Sequence, residues 1–169
     1  SSKEIARNHF KEIRKSNLLD TESFIVKKVK EYIRNLQKKK GIGKTIGIYW
    51  PLEGEVDLRD LKESLNSTLA LPACTSKGEI SYRKWTDDPL EKDIYGIPSP
   101  LSQPPLEAKE MSLLIVPALA IDRIGTRLGY GSGCFDRLRV KEKWKAIEAL
   151  AVVPSKCISN SSLPRDEWD

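Results

Sequence analysis

The sequence predicts a single α/β domain, spanning residues 1–169, whose sheet is mostly parallel. Short apolar runs of strand character alternate with segments of helical periodicity, and this alternation is typical of parallel sheets covered by helices. The length suits one hydrophobic core. No internal repeat or low-complexity tract divides the sequence. These three observations favour one layered domain.

Apolar residues at helical spacing predict three long helices, over residues 3–15, 21–39 and 57–66. Asp20 or Thr21 can cap the start of the second helix, and Gly41 follows its lysine-rich end. A short fourth helix is expected to begin near Phe135.

Five short runs rich in β-branched or apolar residues predict the strands of the sheet. They cover residues 45–49, 69–73, 80–85, 113–116 and 149–153. The stretch 86–110 is rich in proline and charge, so we expect an irregular connection there rather than a linker between domains.

Charge is unevenly distributed along the chain. The net charge is +5, yet residues 1–44 hold 13 Lys and Arg against 5 Asp and Glu, so the rest of the chain is net negative by three. Such a basic segment can attract nucleic acid, acidic membranes or small polyanions. It is equally typical of a solvated helical face, and charge alone does not decide between these interpretations.

Cysteine and histidine usage excludes several classes of site. The three cysteines are far apart, which argues against a disulfide framework and a CxxC metal site. His9 is the only histidine, so zinc sites and His-dependent nucleophilic catalysis are not expected. With no apolar run long enough to span a bilayer and no signal-like segment, we expect a cytoplasmic protein.

Residues 116–137 form the most informative stretch, because a strand leads into a glycine-rich loop and then a helix. Gly129, Gly131 and Gly133 let backbone N–H groups approach an anion. Arg127 and Arg137 flank the loop, and the Asp136 carboxylate can hold Mg²⁺ beside a nucleotide. A GxGxG alone is more often a structural turn than a phosphate site, and Asp136 alone is more often a helix-start carboxylate than a metal ligand.

These residues closely resemble the signature of the 5-formyltetrahydrofolate cyclo-ligase family, also called methenyltetrahydrofolate synthetases. In that family Val-Pro-x-Leu-Ala precedes an Asp, followed by Gly-x-Arg-Leu-Gly-x-Gly-x-Gly, two aromatic residues and a further Asp. Ten or more of these positions match in order. The resemblance implies a three-layer α/β/α fold of the sugar-isomerase and CoA-transferase-like (Rossmann-like) type, with a mostly parallel sheet.

The resemblance also implies an ATP site. Lys3 and Arg7 match the Lys and Arg that help to hold ATP in the family, although alone they are typical of solvated helix charges. Arg127 is implied to act in catalysis on the charge of the transferred phosphoryl group. The implied ATP-binding residues are Lys3, Arg7, Arg127, Leu128, Gly129, Tyr130, Gly131, Ser132, Gly133, Cys134 and Phe135.

Folate and metal sites follow from the same resemblance. Trp50 and Glu55 lie in a segment similar to the one that contacts folate in the family. Asp136 and Asp169 match the carboxylates implicated in binding Mg²⁺. Without the resemblance, Trp50 would be read as a core aromatic residue and Glu55 as a loop carboxylate.

The implied activity is the ATP- and Mg²⁺-dependent cyclisation of 5-formyltetrahydrofolate to 5,10-methenyltetrahydrofolate, by a monomer or weak homodimer. Ser99 stands where the family usually has Glu, and Cys134 replaces the first aromatic residue after the glycines. These departures keep a second hypothesis open, a relative that binds nucleotide or folate without turnover. A nucleic-acid-binding module is disfavoured, since no stacking-aromatic or zinc-finger motif is present.

Overall fold

The computed structural model describes residues 2–40, 44–122, 127–128, 134–153 and 158–159. Its helices are α1 (Ser2–Lys40), α2 (Leu61–Ser64), α3 (Cys134–Val140) and α4 (Glu142–Lys145), with a 3-10 turn over Ala108–Glu110. Its strands are β1 (Thr45–Gly47), β2 (Leu69–Ser76), β3 (Glu79–Lys84), β4 (Glu91–Lys92), β5 (Pro98–Ser99), β6 (Met111–Pro117), β7 (Ala120–Asp122), β8 (Arg127–Leu128), β9 (Glu148–Val152) and β10 (Ile158–Ser159).

The central sheet has five strands in the order β3-β2-β1-β6-β9. β1 runs parallel to β2 and β6, and β6 runs parallel to β9, whereas β3 at one edge is antiparallel to β2. Ile46 lies opposite Leu69 on one side and Leu113 on the other. The predicted mostly parallel sheet is confirmed, and each of the five predicted strands is found within a few residues of its predicted bounds.

The two faces of the sheet bury different helices. Because successive side chains of a strand point to opposite faces, Leu113 packs with Ile33 of α1, and its neighbour Leu114 packs with Leu138 of α3. α2 contributes Leu61 to the first face. The helices therefore cover both sides of the sheet, which confirms the predicted three-layer α/β/α arrangement.

A glycine in the middle of the sheet is explained by a close contact. A Cβ added to Gly47 would lie 2.7 Å from Cε1 of Tyr82 and 2.9 Å from Cδ2 of Leu114. The Tyr82 ring also stacks on Trp144 of α4, with centroids 5.9 Å apart. Because Gly47 has no side chain, the Tyr82 ring of β3 can extend over β1 towards α4.

The N-terminal region corrects the prediction of two helices, because α1 runs unbroken from Ser2 to Lys40. Neither Pro nor Gly interrupts this stretch, so Asp20 and Thr21 continue the helix instead of capping a new one. Its two halves pack in different places. Phe10 packs with Leu119 near the end of β6, whereas Val29 and Ile33 enter the main core.

Two further predictions need correction. The helix predicted over 57–66 is only the four residues of α2, since the Asp57 carboxylate accepts a hydrogen bond from the Arg59 amide (3.0 Å) and holds a turn. The connection 86–110 contains the β4–β5 hairpin and the 3-10 turn. Among the described residues, no helix is both long and apolar enough to cross a membrane.

Candidate functional site

The carboxyl edge of the parallel strands is covered by the first half of α1. Phe10 packs against Leu119, which follows β6, together with Ala6, Ile13 and Val153, which follows β9. Burying an aromatic ring of this kind contributes about 1.5–3 kcal/mol and fixes the helix over this edge. In open α/β sheets, ligands bind beyond the carboxyl ends of the strands. The packing therefore brings the half of α1 that carries both Lys3 and Arg7 to this edge, where each is half-buried.

β7, which precedes the predicted phosphate loop in the sequence, follows the carboxyl end of β6 after two residues. β7 pairs with β8 in antiparallel fashion, so Ile121 lies opposite Arg127, and the parallel strand β10 flanks β7 on its other side. The backbone of Arg127 and Leu128 belongs to β8, and α3 begins at Cys134, near the position predicted. Outside the described residues lie Gly129, Tyr130, Gly131, Ser132, Gly133 and Asp169.

The first turn of α3 carries three of the predicted ligand-binding residues, Cys134, Phe135 and Asp136. Phe135 packs against the core on the second face of the sheet, and Asp136 is half-buried beside it. Mg²⁺ at nucleotide sites is commonly held by one or two carboxylates together with substrate phosphates, so the Asp136 carboxylate fits such a role. Among the described residues, no group of three or more His, Cys, Asp or Glu side chains is placed to hold a metal without a substrate.

The loop after β1 is closed by a buried carboxylate. Glu55 is 5% exposed, its Oε1 accepts a hydrogen bond from the Leu52 amide (2.7 Å), and its own amide donates to the Leu52 carbonyl (3.0 Å). The Tyr49 hydroxyl donates to the Val56 carbonyl (2.7 Å). These bonds hold residues 52–56, called here the Glu55 loop, in one conformation beyond the carboxyl end of β1.

The half-buried Trp50 ring precedes this loop and contacts two side chains. The Arg59 guanidinium lies 4.8 Å from the ring centroid, and the Trp85 ring meets it edge to face at 6.2 Å. Arg59 also pairs with Asp57 at 2.7 Å, and this hydrogen bond holds the pKa of the Asp57 carboxyl below its usual range. Trp50 is thus both part of the core rim and a neighbour of the Glu55 loop.

A buried arginine at this site was missed by the sequence analysis. Arg14 of α1 is 5% exposed, and its Nη2 donates to the Glu53 carbonyl (3.2 Å). It lies against Gly54, whose φ of +82° is a conformation that favours glycine. The available signal was its position two helical turns after Arg7, on nearly the same side of the helix as the apolar residue Phe10.

Two other predicted residues have defined surroundings. Ser99, which stands where the family usually has Glu, is fully buried and donates to the carbonyls of Ile97 (3.0 Å) and Pro72 (3.3 Å). Its hydroxyl is therefore held by the backbone. Arg137, which the sequence suggested beside the phosphate loop, places its guanidinium against the turn at Gly78.

Taken together, these features define an α/β protein with a candidate ligand site at the carboxyl edge of a mostly parallel sheet. Three parts meet at this edge: the first half of α1, the Glu55 loop after β1, and the segment that leaves β6 for β7. A helix bearing cations and a loop with a buried carboxylate suit an anionic ligand that also carries hydrogen-bond donors.

Comparison with known proteins gives a consistent family. A model of the 5-formyltetrahydrofolate cyclo-ligase family matches residues 1–169. The 5-formyltetrahydrofolate cyclo-ligase of Haemophilus influenzae is 30% identical over 135 residues, which cover 75% of this chain and 71% of that protein. The protein of the same name from Mycolicibacterium smegmatis is 30% identical over 105 residues, 56% of this chain and 54% of that one.

Solved structures agree with the sequence relatives. The 5,10-methenyltetrahydrofolate synthetase of Aquifex aeolicus superposes with a TM-score of 0.77 at 27% identity, covering 100% of this chain and 86% of that chain. The synthetase of Mycoplasma pneumoniae shares the fold, with a TM-score of 0.74 at 18% identity over 99% of this chain and 93% of that one. The chain belongs to the 5-formyltetrahydrofolate cyclo-ligase family, a family of ligases that act in folate metabolism.

Proposed function

We propose that this chain uses ATP and Mg²⁺ to convert 5-formyltetrahydrofolate to 5,10-methenyltetrahydrofolate, with release of ADP and phosphate. The observation that carries the proposal is the family match over residues 1–169. The carboxyl-edge geometry supports it, because α1 contacts both the Glu55 loop and Leu119, which follows β6 at this edge. A cytoplasmic location and a monomer or weak homodimer remain predictions from the sequence.

The proposed chemistry activates a poor leaving group. The 5-formyl oxygen attacks the γ-phosphorus of ATP, the bond to the β–γ bridging oxygen breaks, and ADP leaves. N10 of the folate then attacks the formyl carbon and loses its proton. The C–O bond to the phosphoryl group breaks, phosphate departs and the five-membered ring closes. Positioning and neutralisation of phosphate charge account for most catalysis of this kind, so an enzyme with a single histidine is chemically adequate.

The nucleotide is assigned to the glycine-rich segment and the start of α1. Backbone amides of Gly129, Gly131 and Gly133 would bind the phosphates, with Lys3 and Arg7 adding positive charge. The rest of 127–135 completes the proposed ATP site. Arg127 is the proposed catalytic residue, stabilising charge on the transferred phosphoryl group.

Asp136, together with Asp169, is proposed to hold Mg²⁺, which supplies neutralisation of phosphate charge when bound. The half-buried Asp136 carboxylate follows the glycine-rich segment directly, in the first turn of α3. The sequence order therefore puts the proposed ligand next to the proposed phosphate site.

The folate is assigned to Trp50 and the Glu55 loop. The Glu55 carboxylate is already desolvated and oriented by the Leu52 amide, so little reorganisation is needed when a pterin donor group meets it. Because Arg59 lies over the Trp50 ring, the pterin would contact the remaining exposed part of that ring.

An isotope experiment tests the reaction and its order of bond making. The purified chain is incubated with ATP, Mg²⁺ and 5-formyltetrahydrofolate carrying ¹⁸O in the formyl group. The proposal predicts one ADP per methenyl product and one ¹⁸O in each released phosphate. Product formed with unlabelled phosphate would refute formyl-oxygen attack, and ADP released without cyclised folate would refute the activity.

The second candidate is a relative that binds nucleotide or folate without turnover. The observation favouring it is Ser99, whose hydroxyl is held by the Ile97 and Pro72 carbonyls and offers no carboxylate where the family usually has one. Titration calorimetry separates the candidates. Under this alternative, ligand binds but no ADP appears when both substrates are present.

A further inference from the structure

We infer that Arg14 is a positioning residue for the folate, acting through the Glu55 loop. This inference rests on the proposed function, because the loop is the proposed folate contact. Arg14 itself reaches backbone atoms of the loop, not the substrate.

Arg14 is a buried charged residue. Arg14 is 5% exposed although α1 lies at the surface, and burying a guanidinium has a large desolvation cost unless its environment compensates. An apolar residue at the same position would complete the packing of Ile13 and Phe10 without that cost. We therefore expect the charged guanidinium of Arg14 to serve a function in its immediate surroundings.

Arg14 makes two contacts with the Glu55 loop. The Nη2 atom of Arg14 donates to the carbonyl of Glu53 (3.2 Å), a residue 39 positions later in the chain. The Nε–Nη2 edge of the guanidinium also packs against Gly54, since a Cβ there would be 3.0 Å from Nη2, 3.3 Å from Nε and 3.5 Å from Cζ. Both contacts fall on the two residues that directly precede Glu55.

The contacts with Glu53 and Gly54 also affect the orientation of the Glu55 carboxylate. The chain direction at Gly54 determines where the Glu55 side chain turns, and Glu55 then closes the loop by accepting from the Leu52 amide (2.7 Å). A planar fork that donates to one carbonyl and packs on the next residue fixes direction better than a single-point cation does. Arg14 thus orients Glu55 from outside the loop.

Helix α1 also links Arg14 to the proposed ATP site. Arg7 and Arg14 lie seven residues apart on α1, which places them two turns apart, about 10.5 Å along the axis, on nearly the same face. The helix half that carries the proposed ATP contacts therefore also braces the proposed folate loop. One rigid element sets the relative position of the two substrates.

The test compares Arg14→Lys with a matched control, Arg83→Lys. Arg83 also donates its guanidinium to backbone carbonyls of a loop, those of Leu101 (3.2 Å) and Gln103 (2.8 Å), where no site residue is proposed. Steady-state kinetics should show the KM for 5-formyltetrahydrofolate raised about tenfold by Arg14→Lys, with kcat changed by less than about twofold. Arg83→Lys should leave both values unchanged.

Amide hydrogen exchange supplies a readout that does not depend on activity. Arg14→Lys should speed exchange at the Leu52 and Glu55 amides about tenfold, and Arg83→Lys should not. If Arg14→Lys does not fold, Gly54→Ala perturbs the same contact from the loop side, because its Cβ would meet the guanidinium and its φ is +82°. It should raise the folate KM in the same way.

The outcomes separate the two proposals. An unmodified chain that does not cyclise 5-formyltetrahydrofolate refutes the proposed function, and a positioning role in that reaction falls with it, while exchange still decides whether Arg14 braces the loop. Faster exchange with an unchanged folate KM refutes the positioning role and leaves a structural one. Unchanged exchange at Leu52 and Glu55 refutes the brace itself.

Discussion

The two edges of the parallel sheet differ in how far their charged side chains are buried. At the carboxyl edge, Arg14 and Glu55 are each 5% exposed, and their side chains make specific hydrogen bonds with the backbone of one loop. At the amino edge, a cleft of about 900 Å³ is lined by Lys44, Lys109 and Lys143, all of them exposed. The charged side chains named at the carboxyl edge are buried, and those named at the amino edge are exposed.

This difference favours the carboxyl edge as the candidate functional edge. Burying a charged group costs several kcal/mol unless partners compensate, so buried charges persist where their geometry is needed. Exposed lysines around a cleft have no such cost and are typical of a solvated surface. The size of the amino-edge cleft is therefore weaker support for a site than the two buried groups at the carboxyl edge.

Arg127→Ala is expected to have the largest effect of the substitutions at the carboxyl edge. If Arg127 stabilises the transferred phosphoryl group, kcat should fall about a thousandfold, the order seen for arginines in this role. The control is Lys143→Ala in the amino-edge cleft, which should leave kcat within about twofold of the unmodified chain. A folded Arg127→Ala variant with full turnover would remove the assignment.

Glu55→Ala separates the contribution of this carboxylate to stability from its contribution to folate binding. Removing the carboxylate leaves the Leu52 amide without this acceptor, which should lower the free energy of unfolding by about 2 kcal/mol and raise the folate KM at least about tenfold. Urea denaturation and initial rates measure the two effects.

The matched control is Asp93→Ala. The Asp93 carboxylate also closes a turn, accepting from the amides of Tyr95 (2.8 Å) and Ile97 (3.1 Å). It should lose comparable stability with an unchanged folate KM. Equal KM changes in both variants would mean that Glu55 acts only through stability.

Asp136→Asn should raise the Mg²⁺ concentration needed for half-maximal turnover about tenfold, because a neutral amide is a weaker ligand for Mg²⁺ than a carboxylate. Turnover as a function of Mg²⁺ at fixed ATP measures this change. Asp87→Asn, at an exposed carboxylate paired with Lys62, serves as the control. An unaltered Mg²⁺ dependence in Asp136→Asn would exclude Asp136 as a ligand.

The smallest expected effect concerns the Asp57–Arg59 pair beside Trp50. Arg59 lowers the pKa of Asp57, so the pair stabilises the fold above the unfolded pKa of Asp57, and this contribution is lost as pH falls through the lower folded value. The pair is partly exposed, so the contribution should stay below about 1 kcal/mol. Asp57→Asn should flatten the acid limb of stability measured by denaturation at several pH values. An acid limb of unchanged slope would contradict this.

How much the sequence predicts depends on whether a feature is local. The run that became β6 was predicted because an uninterrupted apolar stretch marks a strand buried on both faces. The start of α3 after the glycines was predicted for a similarly local reason. The prediction that the helix would break near Asp20 was wrong. A residue that can cap a helix ends it only where the tertiary structure allows the chain to leave the helical conformation.

Arg14 could not be predicted from local pattern at all. Its partner, Glu53, is 39 residues away, and only the docking of Phe10 at the carboxyl edge brings the two together. The roles of Trp50 and Glu55 came from a family resemblance, and the contacts that orient them became visible only in the fold.

We propose that the carboxyl edge of this sheet performs the ATP-driven cyclisation of 5-formyltetrahydrofolate. The most direct test mixes the purified chain with 5-formyltetrahydrofolate, ATP and Mg²⁺ and follows methenyltetrahydrofolate by its ultraviolet absorbance. The account predicts a rise in absorbance that needs both ATP and Mg²⁺, with ADP formed in equal amount. A flat trace from folded, monodisperse protein that binds both substrates would contradict it.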